Sequence, residues 1–156
     1  MLDSTIAATR RIAADLRPLL LDDLGLVPAI EWLAGNFSSR HGVPCQVLAN
    51  DELELQEPYA TAVFRIVQES LANVGKHAVA TQVTIGMEHV GWAIHVVVQD
   101  NGRGFDTAAP RKPGSLGLLG LKERADLVNG SVKVLSATGQ GTRVEVQIPL
   151  EPAGRG

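Results

Sequence analysis

The segment over residues 58–77 constrains the fold most, because Ala62, Val63, Ile66, Val67, Leu71 and Val74 recur at steps of three and four residues. That spacing lays one apolar stripe along a single amphipathic helix. Pro58 suits the first turn, where its missing N–H has no partner to lose, and Glu57 beside it complements the positive end of the helix dipole. Directly afterwards the period falls to two. Val83, Ile85 and Met87 alternate, Val90 and Gly91 supply a connecting turn, and residues 92–99 (WAIHVVVQ) are apolar enough for a central strand, so the two pair as a hairpin. A long striped helix joined to a hairpin buries its stripe by lying on the sheet.

The flanking segments extend the same pattern. Residues 43–49 form a short strand candidate, and residues 116–129 (LGLLGLKERADLVN) a helix stopped by Asn129-Gly130. Residues 131–137 and 142–150 alternate around TGQG as a second hairpin, and residues 151–156 form a frayed tail. Upstream, Ile6, Ile12, Ala13 and Leu16 keep mostly helical spacing, with Arg10, Arg11 and Arg17 on the polar side. Pro18 disrupts that helix, a punctuated turn covers residues 22–28, and residues 29–39 resume a helix that ends before His41 and Gly42. Residues 101–115 show no apolar period and are rich in Gly, Pro and Ala, which predicts a mobile connector. The predicted fold is an α/β (α+β) two-layer sandwich, a mixed sheet of about five strands covered on one face by helices.

Charge and composition remove several classes of function. A net charge of -3 gives no basic face for displacing counterions from phosphates, so nucleic acid is not an expected partner. No apolar run approaches the roughly 20 residues that span a bilayer, which predicts no membrane contact. The one cysteine, Cys45, cannot close an internal disulfide, and no secretory leader pattern opens the chain. The expected compartment is the cytoplasm, with Cys45 a small buried hydrophobe.

Four stretches could carry chemistry. On the long helix Glu69 and Asn73 lie one turn apart on the same face, with Lys76 and His77 three and four residues further on. They read either as a solvated face or as a Mg²⁺-phosphate site, with Asn73 giving an oxygen and Lys76 a compensating charge. In QDNGRGFD, Asn101-Gly102 is a strong hairpin signal, yet no alternating strand follows it. Asp100 there needs donors, from backbone amides or from a ligand. The glycines of GSLGLLG serve either close helix packing or the approach of phosphate to backbone N–H groups. GQGTRVEVQIP alone is an ordinary turn and strand.

In this order, FRIVQESLANVGKHA resembles the N box, DNGRGFD the D box with its F-box phenylalanine, GSLGLLGLKERADLVNG the G2 box, and GQGTRVEVQIP the final Gly-Thr element of histidine-kinase ATP-binding domains. The resemblance covers residues 58–149 and places the chain in the GHKL superfamily. The form GLLGLKERA, with RRIAADLRPLLLDDLGLVPAIEWLA upstream, is similar to NarL-associated sensor kinases of the HisKA_3 type.

The resemblance implies a protein histidine kinase domain that binds ATP and Mg²⁺ and transfers the γ-phosphoryl group to a histidine on a dimerisation helix, for relay to a response regulator with a NarL-type output domain. It implies that residues 1–42 are the end of the dimerisation and phosphotransfer helices with their junction, that residues 43–150 are the ATP-binding domain, and that the full-length protein is a homodimer. Asp100 would accept the adenine amine, with Gly102 and Gly104 making room for the base. Asn73 would ligate Mg²⁺, Glu69 would orient or polarise the reacting group, and Lys76 and His77 would meet the phosphates. Gly117, Leu118 and Gly120 would form the phosphate-side end of a lid over the nucleotide, and Gly141 and Thr142 would close the adenine pocket. Two departures stand out. Gly75 falls inside the N-box helix where relatives carry a larger residue, and none of His41, His77, His89 and His95 lies in a phosphoacceptor context. His41 reads as a loop residue and His95 as an outward strand residue. The alternatives are a stand-alone serine kinase of the anti-sigma-factor type and a non-catalytic nucleotide-binding module.

Overall fold

The computed structural model describes residues 21, 23–50, 52–104 and 118–150. The helix expected over residues 4–16, residues 105–117 of the connector with its neighbouring glycines, and the tail at 151–156 lie outside the described residues. The elements are α1 (Leu26–His41), β1 (Cys45–Leu48), α2 (Tyr59–Asn73), β2 (Val83–Val90), β3 (Ala93–Asp100), α3 (Leu118–Asp126), β4 (Ser131–Ser136) and β5 (Thr142–Pro149). The sheet order is β1-β2-β3-β5-β4, with β1 parallel to β2 and every other pair antiparallel. The sheet is five-stranded and mixed, as the sequence predicts, and among the described residues the helices α1, α2 and α3 accompany it.

The alternation sorts the strands cleanly. Val83, Ile85 and Met87 of β2, Ile94, Val96 and Val98 of β3, and Val144, Val146 and Ile148 of β5 are all buried. They share one core with Val63, Phe64, Ile66 and Val67 of α2, Leu121 and Ala125 of α3, and Ile30, Leu33 and Phe37 of α1. Truncating a residue such as Ile66, fully buried here, to alanine costs about 2–5 kcal/mol in a core of this kind. The opposite face carries the intervening residues, mostly polar but with Val97 among them. There Arg143 donates from Nε to Glu145 Oε1 at 2.8 Å and from Nη1 to Gln99 Oε1 at 3.1 Å. His95 lies between buried neighbours on β3 and is itself only partly covered, as an outward strand residue should be.

Three boundaries differ from the sequence reading. In place of the expected turn, Asp23 and Leu24 are helical, Gly25 interrupts at φ 89°, and α1 starts at Leu26, three residues earlier than expected. Pro28 is tolerated because it stands in the first turn, where an N–H would have no partner. The same helix runs through His41, whose ring packs on Phe37 with centroids 4.6 Å apart, and Gly42 closes it in the left-handed conformation. His41 is therefore the last helical residue and not a loop residue. At the second helix, α2 begins at Tyr59, and Glu57 caps it: the Thr61 N–H donates to Oε1 at 2.9 Å and the Thr61 hydroxyl to Oε2 at 2.6 Å.

The third difference bears on the site. After Asn73 the helix widens into a π turn, Val74–Ala78. Pairing i to i+5 changes the rotation per residue, so Lys76 does not follow Asn73 on the face that α-helical spacing predicts. Gly75 sits in that turn, and a Cβ there would lie 2.7 Å from both Cε1 and Nε2 of His41. The bare Cα gives room to the ring at the end of α1.

Candidate functional site

Asp100 is the last residue of β3, held in register between Val83 on one side and Thr142 on the other. Its side chain is one of two buried polar groups among the described residues, at 6% exposure, the other being Ser70. The N–H of Gly102 donates to Oδ1 at 2.8 Å, and the N–H of Thr142 also bonds the carboxyl. Burial raises the Asp100 pKa above its ordinary value, and the two backbone bonds oppose that rise. An ionised carboxylate offers about four acceptor positions, so two remain for a ligand that donates N–H.

The chain leaves Asp100 without returning along it, since both neighbours of β3 are other strands. Asn101 fixes that exit. Its Oδ1 accepts the N–H groups of Thr81 and Gln82, each at 2.9 Å, and its Nδ2 donates to the Thr81 hydroxyl at 2.8 Å. The Asn-Gly pair is therefore a clamp to the start of β2, and it does not join two strands. Sequence reading took Asn101 only as half of a turn signal, although an Asn directly after a strand-ending Asp is suited to this kind of side-chain-to-backbone bonding.

Two glycines bring main chain against main chain here. Gly104 has φ 61°, and a Cβ on it would strike the Ala137 carbonyl and lie 2.8 Å from the Gly141 carbonyl. Gly141 has φ 77°, and a Cβ there would strike the Asp100 carbonyl and lie 3.0 Å from Asn101 Cα. The Gly139 N–H donates to the Arg103 carbonyl at 2.6 Å, tying the exit loop to the β4–β5 turn. Where Gly104 was expected to leave room for a base, the space a Cβ would take is filled by backbone. Ser136 reinforces the turn, donating to the Gly141 carbonyl at 2.9 Å, with its Oγ 2.9 Å from Thr142 Oγ1.

The polar face of α2 forms the second half of the arrangement. Glu69 Oε2 accepts Arg124 Nε at 2.7 Å, with the two side chains 29% and 39% exposed. A Cβ on Gly120 would lie 2.6 Å from Glu69 Oε1. Gly120 thus packs on the Glu69 carboxylate from within α3. Asn73, one turn beyond Glu69, is half-buried, and no hydrogen bond ties its carboxamide among the described residues. Lys76 is exposed. The side chains of His77 and Leu118, and the whole of Gly117, lie outside the described residues.

Among the described residues no group of three His, Cys, Asp or Glu side chains could cage a metal ion. A single free carboxamide oxygen fits Mg²⁺, which keeps waters and takes phosphate oxygens with one or two protein oxygens. Asp100 therefore keeps spare acceptor capacity, and the half-buried Asn73 offers a carboxamide oxygen. No described helix is long and apolar enough to cross a membrane.

Comparison with known proteins bears on the family and the fold. Residues 59–152 match the family model described as histidine kinase-, DNA gyrase B-, and HSP90-like ATPase. The chain is 38% identical over 152 residues to the signal transduction histidine-protein kinase/phosphatase DegS of Brevibacillus brevis, and covers 39% of that protein. It is 35% identical over 140 residues to DegS of Bacillus subtilis, covering 36% of it. The chain thus spans well under half the length of these curated relatives. Among solved structures, the Erythrobacter litoralis blue-light activated histidine kinase superposes with a TM-score of 0.75 at 21% identity, over 95% of this chain and 50% of that one. The catalytic domain of histidine kinase ThkA superposes with a TM-score of 0.64 at 16% identity, over 78% of this chain and 89% of that one. These two likenesses establish the fold.

Proposed function

The chain belongs to the family of histidine kinase-, DNA gyrase B- and HSP90-like ATPases, and on that footing we propose that it is the ATP-binding catalytic domain of a two-component sensor histidine kinase. It binds ATP with Mg²⁺ and passes the γ-phosphoryl group to a histidine on a dimerisation helix, from which a response regulator with a NarL-type output domain takes it. Residues 1–42 supply the end of that helical region and the junction, residues 43–150 the ATP-binding domain, the catalytic portion is cytoplasmic, and the full-length kinase is a homodimer. The two relatives named as histidine kinases support the reading.

The observation that carries it is the buried Asp100 carboxyl, held by two backbone N–H groups with acceptor capacity to spare. It takes the adenine amine, beside Gly102 and with the Gly141 and Thr142 turn as the wall. Asn73 would hold Mg²⁺, which would supply charge neutralisation at the phosphates. Lys76, with His77, Gly117 and Leu118, would meet the phosphates. Glu69 orients the attacking imidazole and takes up its proton. Positioning and charge neutralisation of this kind account for most of the rate in phosphoryl transfer.

The test is labelling of the full-length kinase with γ-labelled ATP. The reading expects an acid-labile, base-stable phosphoryl group, absent in Asn73→Ala. An acid-stable label would overturn it in favour of a serine kinase.

A further inference from the structure

We propose that Arg124 is a positioning residue for the transfer step, holding the Glu69 carboxylate from α3 while Gly120 seats it. The inference rests on the catalytic role of Glu69 proposed above and adds the group that sets its geometry. Glu69 and Arg124 stand 55 residues apart in sequence, on different helices, and meet at 2.7 Å between Nε and Oε2. The other oxygen, Oε1, lies over Gly120, where a Cβ would approach to 2.6 Å. One helix therefore holds one oxygen by a charge-assisted bond and leaves room for the other.

Stability does not explain the pair. With side chains 29% and 39% exposed, a salt bridge adds little to folding because solvent screens it. Orientation does explain it. A glutamate on an exposed helix face samples several rotamers, and a base must present a lone pair to one proton in one direction. Arginine suits the task, since its charge is permanent and its Nε–H lies in the plane of a rigid fork. Gly120 belongs to the same device, because any larger residue displaces the carboxylate without touching its charge.

The experiment measures autophosphorylation of the full-length kinase carrying Glu69→Gln, Arg124→Gln, Arg124→Lys, Gly120→Ala, and the double variants Glu69→Gln/Arg124→Gln and Glu69→Gln/Gly120→Ala. Affinity for a fluorescent ATP analogue and thermal melting are recorded for each. Misplacing a reacting group by about 1 Å costs on the order of 100-fold in rate, so kcat should fall about 10- to 100-fold in Arg124→Gln and Gly120→Ala. Arg124→Lys should recover part of the loss. Nucleotide affinity should stay within about twofold in the Arg124 variants, and each double variant should be no slower than Glu69→Gln alone, as expected for groups acting through one another. Arg124→Gln at the wild-type rate, losses that multiply in the double variants, or affinity falling in parallel with rate in the Arg124 variants would overturn the positioning role. Glu69→Gln at the wild-type rate would instead overturn the catalytic role of Glu69 on which it rests.

Discussion

Thr142 faces Asp100 directly across the β3–β5 ladder, and its backbone N–H bonds the carboxyl that Gly102 already holds at 2.8 Å. The same strand pairing that completes the sheet thus aims an acceptor at the exit loop.

The pH dependence follows from that pair. Burial outweighs the two backbone bonds and sets the folded-state pKa of Asp100 above its ordinary value of 3.8. Protonation therefore favours the fold: this carboxyl costs stability while ionised, and the cost is relieved as pH falls through the folded pKa. Adenine binding at Asp100, as proposed, would need the ionised acceptor and so run the other way. Calorimetric titration from neutral to acid pH should show ATP affinity declining before the ordinary aspartate range is reached, with no such decline in Asp100→Asn.

Gly104 and Gly141 should be the least replaceable glycines of the described loops. Alanine at either place meets a carbonyl oxygen at a positive φ, whereas Gly139, at φ 80°, has open space around it. The left-handed backbone alone costs about 1–2 kcal/mol. Urea unfolding should show a loss near that figure for Gly139→Ala and at least about 1 kcal/mol more for Gly104→Ala and Gly141→Ala.

At the π turn, Gly75→Ala gains about 0.5–1 kcal/mol of helix propensity but drives the His41 ring from its place on Phe37. The two residues should therefore be coupled. In a urea double-mutant cycle, alanine at position 75 should stabilise the His41→Ala protein more than it stabilises the wild type. Equal effects in both backgrounds would mean that the ring moves aside freely.

Cys45 should resist alkylation in the folded chain. Burial raises its thiol from 9.0 to about 11, which reduces the thiolate at pH 8 about 100-fold relative to the unfolded chain. Reaction with iodoacetamide, followed with and without urea, reads this directly.

Much of the architecture is legible in the sequence because the sheet buries only one face. Val83, Ile85 and Met87 had to alternate with polar residues to fold this way, and the α2 stripe had to meet them. Asp100 was legible for a related reason: a carboxylate ending an apolar strand demands donors. What was not legible depends on partners far along the chain. A polar helix face looks the same whether Glu69 meets water or Arg124. The π turn after Asn73 is invisible to a count of three and four, and Gly75 makes sense only once His41 is seen beside it. Gly104 announced a need for space, but the backbone of Ala137 and Gly141 that fills the space has no side-chain signature. Pro28 looked like an interruption, because sequence alone does not say that it falls in a first turn.

The most direct measurement is calorimetric titration of wild-type and Asp100→Asn protein with ATP and Mg²⁺, with thermal melting of both. Replacing the carboxylate removes a hydrogen bond to a charged group of roughly 1.5–3 kcal/mol, so Asp100→Asn should bind ATP about 10- to 100-fold more weakly while melting within a few degrees of wild type. ATP affinity unchanged in a folded Asp100→Asn protein would contradict the assignment of Asp100 as the adenine acceptor.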